Sequence, residues 1–178
     1  AGFDNVLVVG EGEGENLVLE DFNDCRLPAG WTTNIVTGED DWQFGHVYND
    51  NNGVDSTMNG SCFVYFDDDG LGEDGPFSTV ELRTPFFDGS QHAELYADLD
   101  TILRRYKAEE QLSVSVYDAV TNSLEPVVLY LTDLGGPKFD AYVRERIDLT
   151  AHRSSQMQLV FTYIDGRDWG WWVGMDNI

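Results

Sequence analysis

The chain has 178 residues, enough for one domain with a real core and a tight fit for two. Its 33 Asp and Glu stand against 10 Lys and Arg, a formal net charge of -23, which repels nucleic-acid backbones and anionic membrane surfaces and favours divalent cations. An apolar fraction of 42% excludes a disordered chain, and no apolar run approaches the roughly 20 residues of a membrane-spanning helix.

Short apolar runs follow one another in chain order: 3–9, 16–22, 31–36, 42–48, 61–66, 79–87, 111–120, 126–131, 141–149, 156–164 and 169–178. Turn residues separate them, including Asn-Gly at 52–53 and 59–60, Asp-Gly at 69–70 and 165–166, and Gly-Gly-Pro at 135–137. Many runs alternate with period two. Leu112, Val114 and Val116 oppose Ser113, Ser115 and Tyr117, and Met157, Leu159 and Phe161 oppose Gln156, Gln158 and Val160. The stretch 93–106 fits both a helical stripe and a strand, and the all-β setting favours the strand. Many short strands with regular turns predict an all-β sandwich or barrel.

The two ends match each other. Gly2-Phe3-Asp4-Asn5-Val6 parallels Gly174-Met175-Asp176-Asn177-Ile178. Residues 1–10 therefore read as the last strand of a preceding copy in a tandem array, and 11–16, acidic and glycine-rich, as an extended linker before the domain at 17–178. The start at Ala1 reads as a processed form or an excised fragment. Cys25 and Cys62 either close one disulfide, as an extracellular protein allows, or stay as two buried thiols.

Four motifs in order carry a family resemblance. They are Glu20-Asp21-Phe22-Asn23 with Leu27-Pro28-Ala29-Gly30-Trp31-Thr32, then Leu82-Arg83-Thr84-Pro85, then Arg146-Ile147-Asp148-Leu149-Thr150, and last Trp171-Trp172-Val173-Gly174-Met175-Asp176-Asn177-Ile178. Together they resemble the bacterial cleaved-adhesin domains, MAM-like modules also met as choice-of-anchor domains. The resemblance implies an antiparallel two-sheet β-sandwich with jelly-roll topology, secretion or display at the cell surface, adhesion to a glycan or a surface protein, and structural calcium. It also implies that the first and last strands lie side by side, so that Asn23, where the family carries Glu or Asp, approaches Asp176.

Calcium takes six to eight oxygen ligands. The candidate donors are Asp21, Asn23, Asp40, Asp41, Asp67, Asp68, Asp69 and Asp176, of which Asn23, Asp41, Asp67, Asp69 and Asp176 form the expected set. Asp67-Asp68-Asp69-Gly70 lacks the spacing of an EF-hand loop and reads equally as a solvated acidic turn. Trp31 and Trp42 read as core, and Trp169 and Trp171, which share a parity and cluster with Tyr163 and Phe161, read as sandwich core or as rings for a sugar. Trp172, on the parity opposite Trp171, is the best candidate for an exposed ring that stacks on a sugar, with Trp169 beside it as a further contact. His46, His92 and His152 have no metal-ligand spacing, and no nucleophile elbow is present. The sequence therefore points to a non-catalytic extracellular binding module, with neighbouring repeats of its own chain as further partners. The alternative is a carbohydrate-binding accessory module of a secreted hydrolase.

Overall fold

The computed structural model describes residues 9–10, 15–45, 48–49, 55–56, 58, 60–72, 75–136, 141–166 and 170–178. In chain order the described strands are Val9–Gly10 (β1), Glu15–Asn16 (β2), Thr32–Thr37 (β3), Gln43–Gly45 (β4), Tyr48–Asn49 (β5), Asp55–Ser56 (β6), Phe63–Asp67 (β7), Thr79–Arg83 (β8), Tyr96–Arg104 (β9), Gln111–Asp118 (β10), Ser123–Tyr130 (β11), Val143–Asp148 (β12), Met157–Ile164 (β13) and Trp172–Asp176 (β14). Two five-stranded sheets face each other, ordered β11-β10-β13-β8-β3 and β12-β9-β14-β7-β4. Every pairing in them is antiparallel. The chain passes repeatedly from one sheet to the other, as the jelly-roll expectation requires.

The period-two pattern decides which side chains meet between the sheets. Val80 and Leu82 of β8, Leu112, Val114 and Val116 of β10, and Leu159, Phe161 and Tyr163 of β13 line one inner face. Val64 and Phe66 of β7, Ala97, Leu99 and Leu103 of β9, and Val173 and Met175 of β14 line the other. Burying each large apolar side chain stabilises by about 1.5–3 kcal/mol, and this layer is what holds the sheets together. Trp31 and Trp42 are core residues, both 5% exposed, and Phe22 meets Trp31 edge-on at 5.5 Å between ring centroids.

The ambiguous stretch 93–106 is a strand because β9 lies between β12 and β14 and uses both faces. Its core parity carries Ala97, Leu99 and Leu103, with Thr101 among them donating its hydroxyl to the Gly174 carbonyl at 3.2 Å. Its other parity carries Asp98 and Asp100, which pair across the ladder with Arg146 at 2.6 Å and Arg144 at 2.7 Å. The β10–β11 turn is closed by Asp118, whose Oδ1 accepts the Val120 N–H at 2.9 Å, with Asn122 at φ 56°, a conformation Asn tolerates better than most residues. Gly38 sits at φ 93°, and a Cβ there would stand 2.9 Å from the Phe77 carbonyl oxygen, so only glycine fits.

Of the run 16–22, only Asn16 is in a strand. The segment joins the C-terminus through two backbone bonds, Glu20 N–H to Ile178 O at 2.6 Å and Ile178 N–H to Glu20 O at 2.8 Å. Residues 1–8 and 11–14 lie outside the described residues, so most of the expected preceding strand and linker does too. The remainder pairs as a short ladder, Val9 with Asn16 and Gly10 with Glu15. Cys25 and Cys62, 37 residues apart in sequence, form a disulfide with their Cα atoms 5.3 Å apart, tying the exposed 23–27 loop to the start of β7. Closing a loop of that length restricts the unfolded chain enough to stabilise the fold by about 4 kcal/mol. Reduction by dithiothreitol, or the double variant Cys25→Ser/Cys62→Ser, is expected to lower the urea midpoint accordingly without changing the far-UV spectrum of the native state.

Candidate binding surface

The outward face of the β9–β14–β7 sheet is partly covered by a second apolar cluster of Met58, Phe63, Ile102 and Trp172, with Tyr65, Tyr142 and Trp171 against it. This corrects the expectation for Trp172. It does point away from the main core, opposite Val173, but it is only 6% exposed because this cluster packs over it. Trp169 lies outside the described residues.

Trp171, the neighbour of Trp172, reaches solvent from the edge of this cluster. Trp171 is half-buried, and Tyr106, 51% exposed, lies with its ring centroid 6.0 Å away and its plane tilted by 30°. The Arg104 guanidinium sits 5.2 Å from the Trp171 ring centroid and the Lys107 ammonium 4.9 Å from that of Tyr106. These cations meet the negative faces of the rings. Arg104 also pairs with Asp133 at 2.8 Å, and the Arg105 Nε donates to the Glu110 carbonyl at 2.6 Å. Two adjoining aromatic rings flanked by hydrogen-bonding cations form a surface on which sugar C–H faces can stack and hydroxyls can be bonded.

Beneath the rings lie three buried carboxylates, Asp68, Glu110 and Asp165. Glu110 Oε1 accepts the Trp171 N–H at 2.7 Å and the Tyr163 hydroxyl at 3.0 Å. Its Oε2 accepts the Lys107 N–H at 2.9 Å and the Tyr106 N–H. Asp165 Oδ2 accepts the Ser78 N–H at 2.5 Å, and Asp68 Oδ2 accepts the Gly170 N–H. Burial pushes the Asp68 carboxyl up to about 7, against the Gly170 N–H and with the charges of Asp165, Glu110 and Asp67.

The C-terminal end of β14 carries another buried carboxylate. Asp176 is fully buried; its Oδ1 accepts the Asn177 N–H at 2.8 Å and its Oδ2 the Ser61 hydroxyl at 3.2 Å. Neighbouring Asp100 is satisfied differently, by a two-pronged bond from Arg144 at 2.7 and 2.8 Å and by the Asn177 side-chain amide at 2.9 Å. Burial pushes the Asp176 carboxyl up to about 7, the Asn177 and Ser61 bonds oppose this, and the charges of Asp100 and Asp21 add to it. For both Asp68 and Asp176 the folded pKa stands above the unfolded value near 4. The fold then binds more protons than the unfolded chain between about pH 4 and 7, so their contribution to stability falls as pH rises through that window.

The expected calcium ligands do not all come together. It is Asp21 whose charge reaches Asp176. Asn23 is exposed and spends its side-chain amide on Asp21 Oδ2 at 2.8 Å. Asp41 accepts the Thr33 hydroxyl at 2.5 Å and the Trp42 N–H at 2.8 Å. Asp67 accepts the Gly70 N–H at 2.9 Å, and Asp69 opens the short 3-10 turn Asp69–Leu71. Among the described residues no three His, Cys, Asp or Glu side chains converge as metal ligands. Two other concavities lie near the turns at the opposite end of the sandwich. One, of about 430 Å³, lies beside Phe86, Phe87 and His92; the other, of about 160 Å³, lies between Asp118, Glu125 and His152.

Tyr106 and Glu110 were not singled out by sequence reasoning. For Tyr106 a signal was present: three of the ten basic residues fall within Arg104-Arg105-Tyr106-Lys107, around one aromatic ring, in a chain that is otherwise strongly acidic.

No protein-family model and no curated protein matches the chain. Solved structures do. The K1 cleaved adhesin domain of Lys-gingipain from Porphyromonas gingivalis is 20% identical, with 88% of this chain and 92% of that chain covered and a TM-score of 0.64. The K3 cleaved adhesin domain of the same protein is 15% identical, covering 90% and 94% with a TM-score of 0.62. A structure described as one of the carbohydrate-binding modules of the β-sandwich superfamily is 12% identical, covering 96% of this chain and 62% of that chain with a TM-score of 0.50. At these identities the likeness is one of fold: this chain is built as the cleaved adhesin domains are, and its four sequence motifs resemble theirs.

Proposed function

We propose that the chain is an extracellular, non-catalytic adhesion module that binds neutral glycans on the Tyr106–Trp171 surface. The observation that carries this reading is the pair of adjoining rings, one of them 51% exposed, with Arg104 and Lys107 at their faces. Stacking on a sugar removes apolar area from water at little conformational cost. The net charge of -23 disfavours sulfated and uronic-acid chains and leaves neutral sugars. The disulfide suits an oxidising compartment, hence secretion or the cell surface. The likeness in fold to proteins described as adhesin domains and as carbohydrate-binding modules supports the same reading. Neighbouring repeats of the same chain are proposed as further partners, on the match between 2–6 and 174–178.

Calcium is the proposed ion. Among the described residues no Lys or Arg pairs with buried Asp176, and the donors around it, Asp176, Asp21 and Ser61, are hard oxygens of the kind calcium takes. Backbone carbonyls would complete the shell. An ion there would join the Glu20–Phe22 segment to the end of β14.

On a panel of neutral and anionic glycans, binding is expected among the neutral members, with Trp171→Ala and Tyr106→Ala each weakening it by about tenfold. Binding confined to anionic glycans, or unchanged in both variants, would overturn the reading. Thermal unfolding in excess calcium is expected to exceed that in EGTA by several degrees, since a hundredfold excess over Kd supplies about 2.7 kcal/mol. Asp176→Asn should abolish the increase. In EGTA, the urea midpoint should fall between pH 5 and pH 8, and Asp176→Asn and Asp68→Asn should each flatten that fall. A midpoint that rises over this interval would contradict the assignment of both carboxyls.

A further inference from the structure

We propose that Glu110 is the positioning residue of the ring surface: one buried carboxylate accepts backbone N–H groups from both ring-bearing segments and so fixes Tyr106 and Trp171 relative to each other. The inference rests on the glycan reading for its functional consequence, but not for its geometry.

Tyr106 and Lys107 lie in the connection after β9. Trp171 lies in the connection after β13, 61 residues beyond Glu110. The β9–β14 ladder ends with Arg104 opposite Trp172, just short of both rings, and beyond that end the carboxylate takes over. The carboxylate spans them, with Oε2 on the Tyr106 and Lys107 N–H groups and Oε1 on the Trp171 N–H. The Tyr163 hydroxyl completes the set and comes from the core strand β13, so the junction is also fixed to the sandwich. Gly170 belongs to the same arrangement. A Cβ on it would run into Glu110 Oε1 and Asp68 Oδ2, so the backbone next to Trp171 can approach the carboxylates only because no side chain intervenes.

All four donors point at an acceptor with two equivalent oxygens. An amide has one acceptor oxygen, and its NH2 group would face N–H donors. Glu110→Gln therefore keeps the shape and breaks one of the two links. Tyr163→Phe removes only the link to the core and leaves all three N–H bonds in place. Gly170→Ala displaces the carboxylate without changing charge.

The test uses the full chain with two readouts. Amide hydrogen exchange should show Tyr106 and Lys107, or Trp171, exchanging at least about tenfold faster in Glu110→Gln, with Val114 and Leu159 unchanged. In Tyr163→Phe the three amides should stay as in the wild type. Calorimetric titration with mannohexaose and with cellohexaose should show about tenfold weaker binding for Glu110→Gln and a change within about twofold for Tyr163→Phe. Should Glu110→Gln not fold, Gly170→Ala carries the same expectations. Unchanged exchange at all three amides, or an equal loss of binding in Tyr163→Phe, would overturn the proposal. A wild type that binds neither sugar while the amides loosen as expected would count against the glycan reading with these probes and leave the positioning role standing.

Discussion

A carboxylate taken out of water has to find donors, and the Glu110 carboxylate finds them in the backbone of two distant connections. That requirement organises one end of the sandwich. The β9–β10 connection turns the N–H groups of Tyr106 and Lys107 toward Glu110, the Trp171 N–H meets the same carboxylate from the residue before β14, and the rings of Tyr106 and Trp171 meet at the surface. Stripped of its partners, the carboxylate would be a buried unpaired charge, far costlier than an exposed one. The rings are thus presented on a junction that is rigid for electrostatic reasons, and a rigid junction limits the ordering cost of binding.

The same requirement is met at β14 in two different ways. Asp100 receives a bidentate guanidinium from Arg144 and an amide from Asn177, which accounts for its charge. Asp176, directly across the ladder from it, receives one N–H and one hydroxyl. The contrast between these neighbours is what supports the proposed cation site at Asp176 over the other acidic turns. Asp41 and Asp67, by comparison, cap local backbone, as acidic turn residues usually do.

The strands with a clean two-residue alternation were legible in the sequence. In β10 and β13 each residue faces as its parity predicts. Trp31 and Trp42, which stand just ahead of β3 and β4, are core as expected. The parity of Trp172 was legible too, but its exposure was not. Parity tells which face a side chain leaves from, and only tertiary packing tells whether Met58, Phe63 and Ile102 cover that face. The approach of the N-terminal segment to β14 was expected from the resemblance, yet the residue of that segment whose charge reaches Asp176 is Asp21, two residues from the one expected. A left-handed φ of 49° at Phe22 changes the direction of the chain between the two, which no periodicity records. The Glu110 junction was beyond sequence reasoning because it joins residues through backbone donors, and every residue carries such a donor.

The central claim is that Tyr106 and Trp171 form the ligand surface. It is tested most directly by titrating a neutral oligosaccharide such as mannohexaose into isotope-labelled protein and mapping the backbone amide shifts. The account predicts that the shifted amides cluster at 104–110 and 170–172. Shifts that gather instead at the Phe86–His92 cleft, with those two segments silent, would contradict it.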